Sequence, residues 1–178
     1  MKRLWISLLV LVSLIAVFFI FIFSGAYDIS ATKPHYRFTR WIINTLVDNS
    51  VKHHAKDIKA PNLNDTSLVR IGFSHYNEMC SGCHSTPGVE QNEVVKSFYP
   101  RPPKLVRVIN EWTPSELFWM TKNGIKMSGM PAFGTTHSDK EIWAIVAFMQ
   151  KLPAMTKEQY ENLVEAEKNK SAETEQQK

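Results

Sequence analysis

Apolar residues are distributed along this chain in three ways. From Leu4 to Phe23 they form a run of 20 residues with no charge, in which only Ser7 and Ser13 are polar. At about 1.5 Å of rise per residue, such a run makes a helix roughly 30 Å long, the thickness of a bilayer's hydrocarbon core. Trp5 lies near one end and Tyr27 just past the other, where interfacial aromatics belong. The competing reading is a cleaved signal peptide, for which Ser24-Gly25-Ala26 offers small residues at suitable offsets. A signal h-region is usually about 7–15 residues, and this run is longer, so a retained anchor over residues 1–26 is the expectation.

The second pattern covers residues 27–61, a juxtamembrane segment. Trp41, Ile42, Leu46, Val47 and Val51 read as the stripe of an amphipathic helix within 34–60. Such a helix either lies on headgroups or a partner, or serves as a spacer packed on the next domain. Adjacent His53 and His54 point to different sides of a helix and read as a solvated pair. Pro61 marks a boundary.

The third pattern, over residues 62–155, is that of a compact helical domain. A helix is expected from about Asp65 to Met79, with Val69, Phe73 and Tyr76 spaced along it. Gly72 interrupts it, as a glycine does where another backbone comes close. From Ser85 to Asn110 the chain reads as irregular: Pro87-Gly88 makes a turn, and Pro100, Pro102 and Pro103 forbid a continuous helix. Capping boxes at Thr113–Glu116, Ser138–Glu141 and Thr156–Gln159 start three more helices. In the second of these, Ala144 and Ala147 are small enough to admit a neighbouring helix. Residues 156–178 read as a charged helix and, from about Asn169, a disordered polar tail. No convincing strand or internal repeat is visible, so the expected fold is all-α.

Charge sharpens the membrane reading. Residues 1–59 hold eight basic and three acidic side chains, whereas residues 156–178 hold four basic and six acidic. The basic excess thus sits beside the apolar run and points to membrane lipid. The aromatic and basic interleaving of a nucleic-acid groove is absent, and no nucleic-acid partner is expected.

The two cysteines, too few for a disulfide framework, fall in one motif, Cys80-Ser81-Gly82-Cys83-His84. A C-x-x-C-H spacing is that of c-type haem attachment. Two thiols three positions apart on one turn reach the two vinyl groups of one porphyrin edge. The following His turns its imidazole to the iron, and Ser81 and Gly82 leave room. A thioredoxin-like redox pair needs a βαβ pattern, which is missing. A zinc site needs about four ligands, and Cys80, Cys83 and His84 supply three at most. A second axial ligand in such proteins is commonly Met. Met130 precedes Pro131 in a Gly-rich loop, Gly124 to Gly134, and is favoured over Met127, three residues earlier. Arg101, Lys104 and Arg107 are either propionate partners or a solvated basic loop. Trp112, Phe118, Trp119 and Trp143 read as pocket wall or core.

These features together resemble the class I single-haem c-type cytochromes, over about residues 62–155. Gly72 and Tyr76 stand eight and four residues before Cys80, as in that family, and Phe148, Ile145 and Val146 are candidates for its crossing C-terminal helix. Pro102-Pro103-Lys104-Leu105 resembles the segment whose carbonyl orients the axial His. The run Gly124 to Gly134 is similar to membrane-tethered bacterial members. The resemblance implies one covalent haem c, bound by Cys80 and Cys83, with His84 and Met130 on its iron. It implies an electron carrier rather than an enzyme, passing single electrons between a respiratory donor and an oxidase or other acceptor. An alternative is a cytochrome subunit of a membrane-bound dehydrogenase complex. It also implies a single-pass protein of the bacterial inner membrane, with the haem domain on the periplasmic side.

Overall fold

The computed structural model describes residues 1–176, and they divide into two compact units, Met1–Pro34 and a second that begins at His35. The first unit is dominated by α1, Lys2–Phe23, a helix of 22 residues with no buried residue. Its mean hydropathy reaches 3.2, which makes it long and apolar enough to cross a membrane. An apolar helix that buries nothing inside its own unit has its natural solvent in lipid.

The second unit is all-helical among its described residues. It begins with α2, Arg37–Ala55, and continues through α3, Thr66–His75, and the four-residue α4, Ser81–His84. Two further single turns, α5 at Glu93–Lys96 and α6 at Leu105–Val108, punctuate the stretch expected to be irregular. Then come α7, Pro114–Asn123, α8, Asp139–Met149, and α9, Lys157–Gln176. The capping boxes start α7 and α8 as expected, each with both reciprocal hydrogen bonds present. At α9 the Gln159 amide donates to Thr156 Oγ1, and the Thr156 amide to Gln159 Oε1. Helix α9 runs through Asn169 to Gln176, where a disordered tail was expected; its Glu, Lys, Ala and Gln residues are strong helix formers. Residues 177–178 lie outside the described residues.

The core is built on α3 against α8. Ile142, Ile145, Val146 and Phe148 are fully buried, as are Tyr76 and Ile109. At Gly72 the two backbones meet: a Cβ there would run into the carbonyl of Ala144. Phe73 and Tyr76 each lie 5.3 Å, ring to ring, from Phe148. Helix α9 sends Tyr160 into the same cluster, 5.4 Å from Phe73, and its hydroxyl donates to Asn77 Oδ1 at 3.0 Å.

Helix α2 corrects one expectation. Its apolar residues do not form a single stripe. Val51 and Ala55 are buried where α2 packs on α7, whereas Trp41 and Leu46 are exposed on another side. The cause is angular: at about 100° per residue, positions 41, 42, 46, 47 and 51 spread over most of the circumference. The histidine pair is likewise not merely solvated. His54 stacks on Trp119 of α7, with centroids 5.4 Å apart and planes 6° from parallel.

Candidate haem site

Between α3 and α4 the helix widens into a π-turn, Tyr76–Cys80, so the motif cysteines begin at an irregular turn of the kind common at functional sites. The chain then reverses sharply at Ser85, whose φ is 66°. The Tyr76 hydroxyl donates to the Ser85 carbonyl at 2.8 Å, tying that reversal to the core. Burial pushes the Tyr76 hydroxyl far above the ordinary phenol range, so it remains a donor.

Cys80, Cys83, His84 and Met130 line one cavity of about 260 Å³. Its walls are almost wholly apolar: Phe98, Leu105, Ile109, Trp112, Leu117 and Phe133 contribute to them. Burial raises the Cys80 thiol to about 12, with the neighbouring Cys83 adding to the shift. Unmodified, Cys80 is therefore a neutral thiol; converted to a thioether it would have no charge to desolvate.

His84 is set for ligation. Burial lowers its pKa, and a hydrogen bond to the Pro103 carbonyl opposes that in part. The bond, Nδ1 to the Pro103 oxygen at 2.8 Å, places the proton on Nδ1. A neutral ring with Nδ1 protonated keeps its Nε2 lone pair available for a metal. The carbonyl comes from the Pro-containing segment singled out in the sequence. Gln91 holds that segment in place, and no sequence signal marked it. Buried between two strands of loop, its amide nitrogen donates to the Cys83 carbonyl at 3.1 Å and the Pro102 carbonyl at 2.7 Å.

Met130 is presented by a loop that doubles back on itself. Gly124 ends α7 at φ 66°, and a Cβ there would lie 2.7 Å from the Met130 oxygen. The Ile125 amide donates to that same oxygen, and the Met130 amide donates to Ser128 Oγ at 3.1 Å. Met127 is placed otherwise: it is 92% exposed, at φ 58°, and lines no part of the cavity.

Of the three candidate propionate partners, Arg101 alone lines the cavity, and its guanidinium donates to the Lys96 carbonyl at 2.9 Å. Lys104 pairs instead with Glu90 at 2.5 Å, and that hydrogen bond holds Glu90 below the usual carboxylate range. Trp112 lines the cavity, whereas Phe118 and Trp143 stack on each other 4.2 Å apart, outside it.

The set fits a haem: an apolar slot, two thiols on adjacent turns at its edge, a neutral imidazole and a thioether. Residues 67–149 match the family described as cytochrome c oxidase, cbb3-type, subunit III. No curated protein matches the chain.

Proposed function

Starting from a c-type cytochrome domain over residues 67–149, we propose that this haem electron-transfer protein carries a single haem c, joined covalently through Cys80 and Cys83, with His84 and Met130 as axial ligands. The observation that carries the reading is the convergence of these four side chains on one apolar cavity. Bound there, haem iron supplies a ferrous–ferric couple that moves one electron at a time. The chain's own part is positioning. Pro103 fixes the His84 tautomer, Gln91 braces the Pro103 segment, and the Gly124–Ser128 turn delivers the Met130 sulfur. The apolar walls exclude water and, with a thioether ligand, favour the ferrous state relative to bis-imidazole ligation.

We further propose that α1 anchors the chain in a bacterial inner membrane with the haem domain on the periplasmic side, since such haem is attached outside the cytoplasm. The division into anchor (1–26), juxtamembrane segment (27–61), haem domain (62–155) and C-terminal segment (156–178) follows from that reading. The donor is then a respiratory protein such as a dehydrogenase, the acceptor an oxidase or another protein, and the chain itself makes or breaks no bond. A second reading is permanent membership of a membrane-bound complex: a dehydrogenase, the alternative read from the sequence, or an oxidase, for which the family's description is the support.

The test is made on the full chain extracted gently from membranes. Haem should stay with the polypeptide on a denaturing gel. The purified protein should titrate as one reversible one-electron couple, and its ferrous form should refuse carbon monoxide. Haem lost in acidified organic solvent, or ready binding of carbon monoxide, would overturn the carrier reading. Stoichiometric co-purification of an oxidase or dehydrogenase would select the complex over the free carrier.

A further inference from the structure

Helix α2 is fixed on one side and bare on another. Its second half is docked: Val51 and Ala55 are buried, His54 stacks on Trp119, and the Ile58 carbonyl just beyond accepts from Ser115 Oγ at 2.8 Å. On the opposite side of its first half, Phe38, Trp41 and Leu46 are 68%, 61% and 65% exposed, with Ile42 between them. Phe38 and Trp41 stack on each other, their rings 5.9 Å apart. Farther along that side come Asp48, Asn49, Lys52 and His53, so the apolar patch ends after about two turns.

One basic residue borders the patch: Arg37 lies about 40° around the helix from Trp41, whereas Arg40 falls on the side of Val51. Arg37 and Arg40 occupy the first turn of α2, which has no acidic residue. The N-terminus of a helix carries partial positive charge, so two arginines there oppose the dipole. An anionic surface relieves that conflict. Chain connectivity says which surface. Only residues 24–36 separate α1 from α2, and 13 residues reach roughly 45 Å even when fully extended. A patch tethered so briefly to a membrane-spanning helix meets the bilayer at high effective concentration.

We infer that the first half of α2 lies in the headgroup layer of an anionic bilayer, with Phe38, Trp41 and Leu46 inserted and Arg37, at the edge of that patch, at the lipid phosphates. The inference rests on α1 being a retained anchor. Because the other side of α2 is packed on α7, lipid binding there sets the orientation of the haem domain to the membrane and stops it swinging freely on its tether.

Photo-crosslinking in the full-length haem-loaded chain, in native membranes, tests this. A benzophenone amino acid is placed singly at Phe38, Trp41, Leu46, at Leu11 within α1, and at exposed Lys140 of α8. The adducts are then weighed. Positions 38, 41 and 46 should give lipid-mass adducts in yields near that of position 11 and roughly tenfold above position 140. Phe38→Glu with Trp41→Glu should lower the lipid yield at position 46 by roughly tenfold while leaving the haem spectrum intact. Protein-mass adducts at the three positions would show that the face docks a partner, and yields no higher than at position 140 would show that it is solvated. Either overturns the inference. Loss of lipid adducts at Leu11 as well would overturn the anchor itself.

Discussion

The segment from Thr66 to His84 is packed in opposite ways on its two sides. On one side, Gly72 leaves no space between its own backbone and that of Ala144, and Phe73 and Tyr76 close on Phe148 and Tyr160. On the other side, Cys80, Cys83 and His84 face an apolar cavity of about 260 Å³. Protein interiors are otherwise filled to a density near 0.75. The contrast separates two jobs: the jammed side fixes where the π-turn and the motif sit, and the open side offers the reactive groups. Substitutions on the jammed side should act through stability. Those on the open side should act through the cofactor.

The largest effect is expected on the open side. Cys80→Ala combined with Cys83→Ala should remove all haem-linked peroxidase staining at the chain's mass on a denaturing gel. Staining that survives would break the comparison, because the cavity would then not depend on its thiols. Next comes Met130→Ala. It should let the ferrous protein bind carbon monoxide and lower the reduction potential by on the order of 0.1 V, since axial ligands span about 0.8 V. Absorption spectroscopy and potentiometry read both changes.

On the jammed side, Gly72→Val should cost about 3 kcal/mol or more, because the contact it meets is backbone and cannot swing away. A shifted denaturant midpoint in the haem-loaded protein, with the axial-ligand spectrum unchanged below the transition, would confirm the division of labour. Tyr76→Phe should cost about 1 kcal/mol through the lost bond to the Ser85 carbonyl. The Tyr76 hydroxyl is held protonated by burial, so it binds its proton at neutral pH folded or unfolded. The loss should therefore be the same at about pH 6 and about pH 8, below the ordinary tyrosine pKa of about 10.

Much of the jammed side was legible in the sequence, because its signals are local. A glycine inside a helical pattern announced a close approach, and Gly72 makes one. The boxes at Thr113 and Ser138 announced helix starts and form them. The helical class itself was legible, and residues 67–149 carry the family match. What escaped depends on the path of the loops or on which helix face meets a neighbour. Gln91 carries no periodic or motif signal, and its role exists only because two loop carbonyls converge on it. Lys104 was grouped with Arg101 by sequence proximity, but the fold turns it to Glu90. The stripe on α2 misled because kind of residue was read without angle. Two faces with different partners look like one when projected onto a line.

The smallest effect is expected at Met127, and it sharpens the comparison between the two methionines of one loop. Met127 and Met130 are equally capable ligands by chemistry, and only three residues separate them. Their backbones differ. Met127 sits at φ 58° with its side chain in solvent, whereas Met130 is held by bonds to Ile125 and Ser128 and lines the cavity. A left-handed conformation costs a residue with a Cβ roughly 1–2 kcal/mol, and glycine escapes that cost but loses more chain entropy on folding. Met127→Gly should therefore leave the spectrum and potential unchanged and raise stability slightly, by about 0.5 kcal/mol. Denaturant titration beside absorption spectra measures both. A variant that instead opens the iron to carbon monoxide would transfer the axial role to Met127. It would mean that the loop rearranges when haem binds, and that the exposed position is the one that closes over the iron.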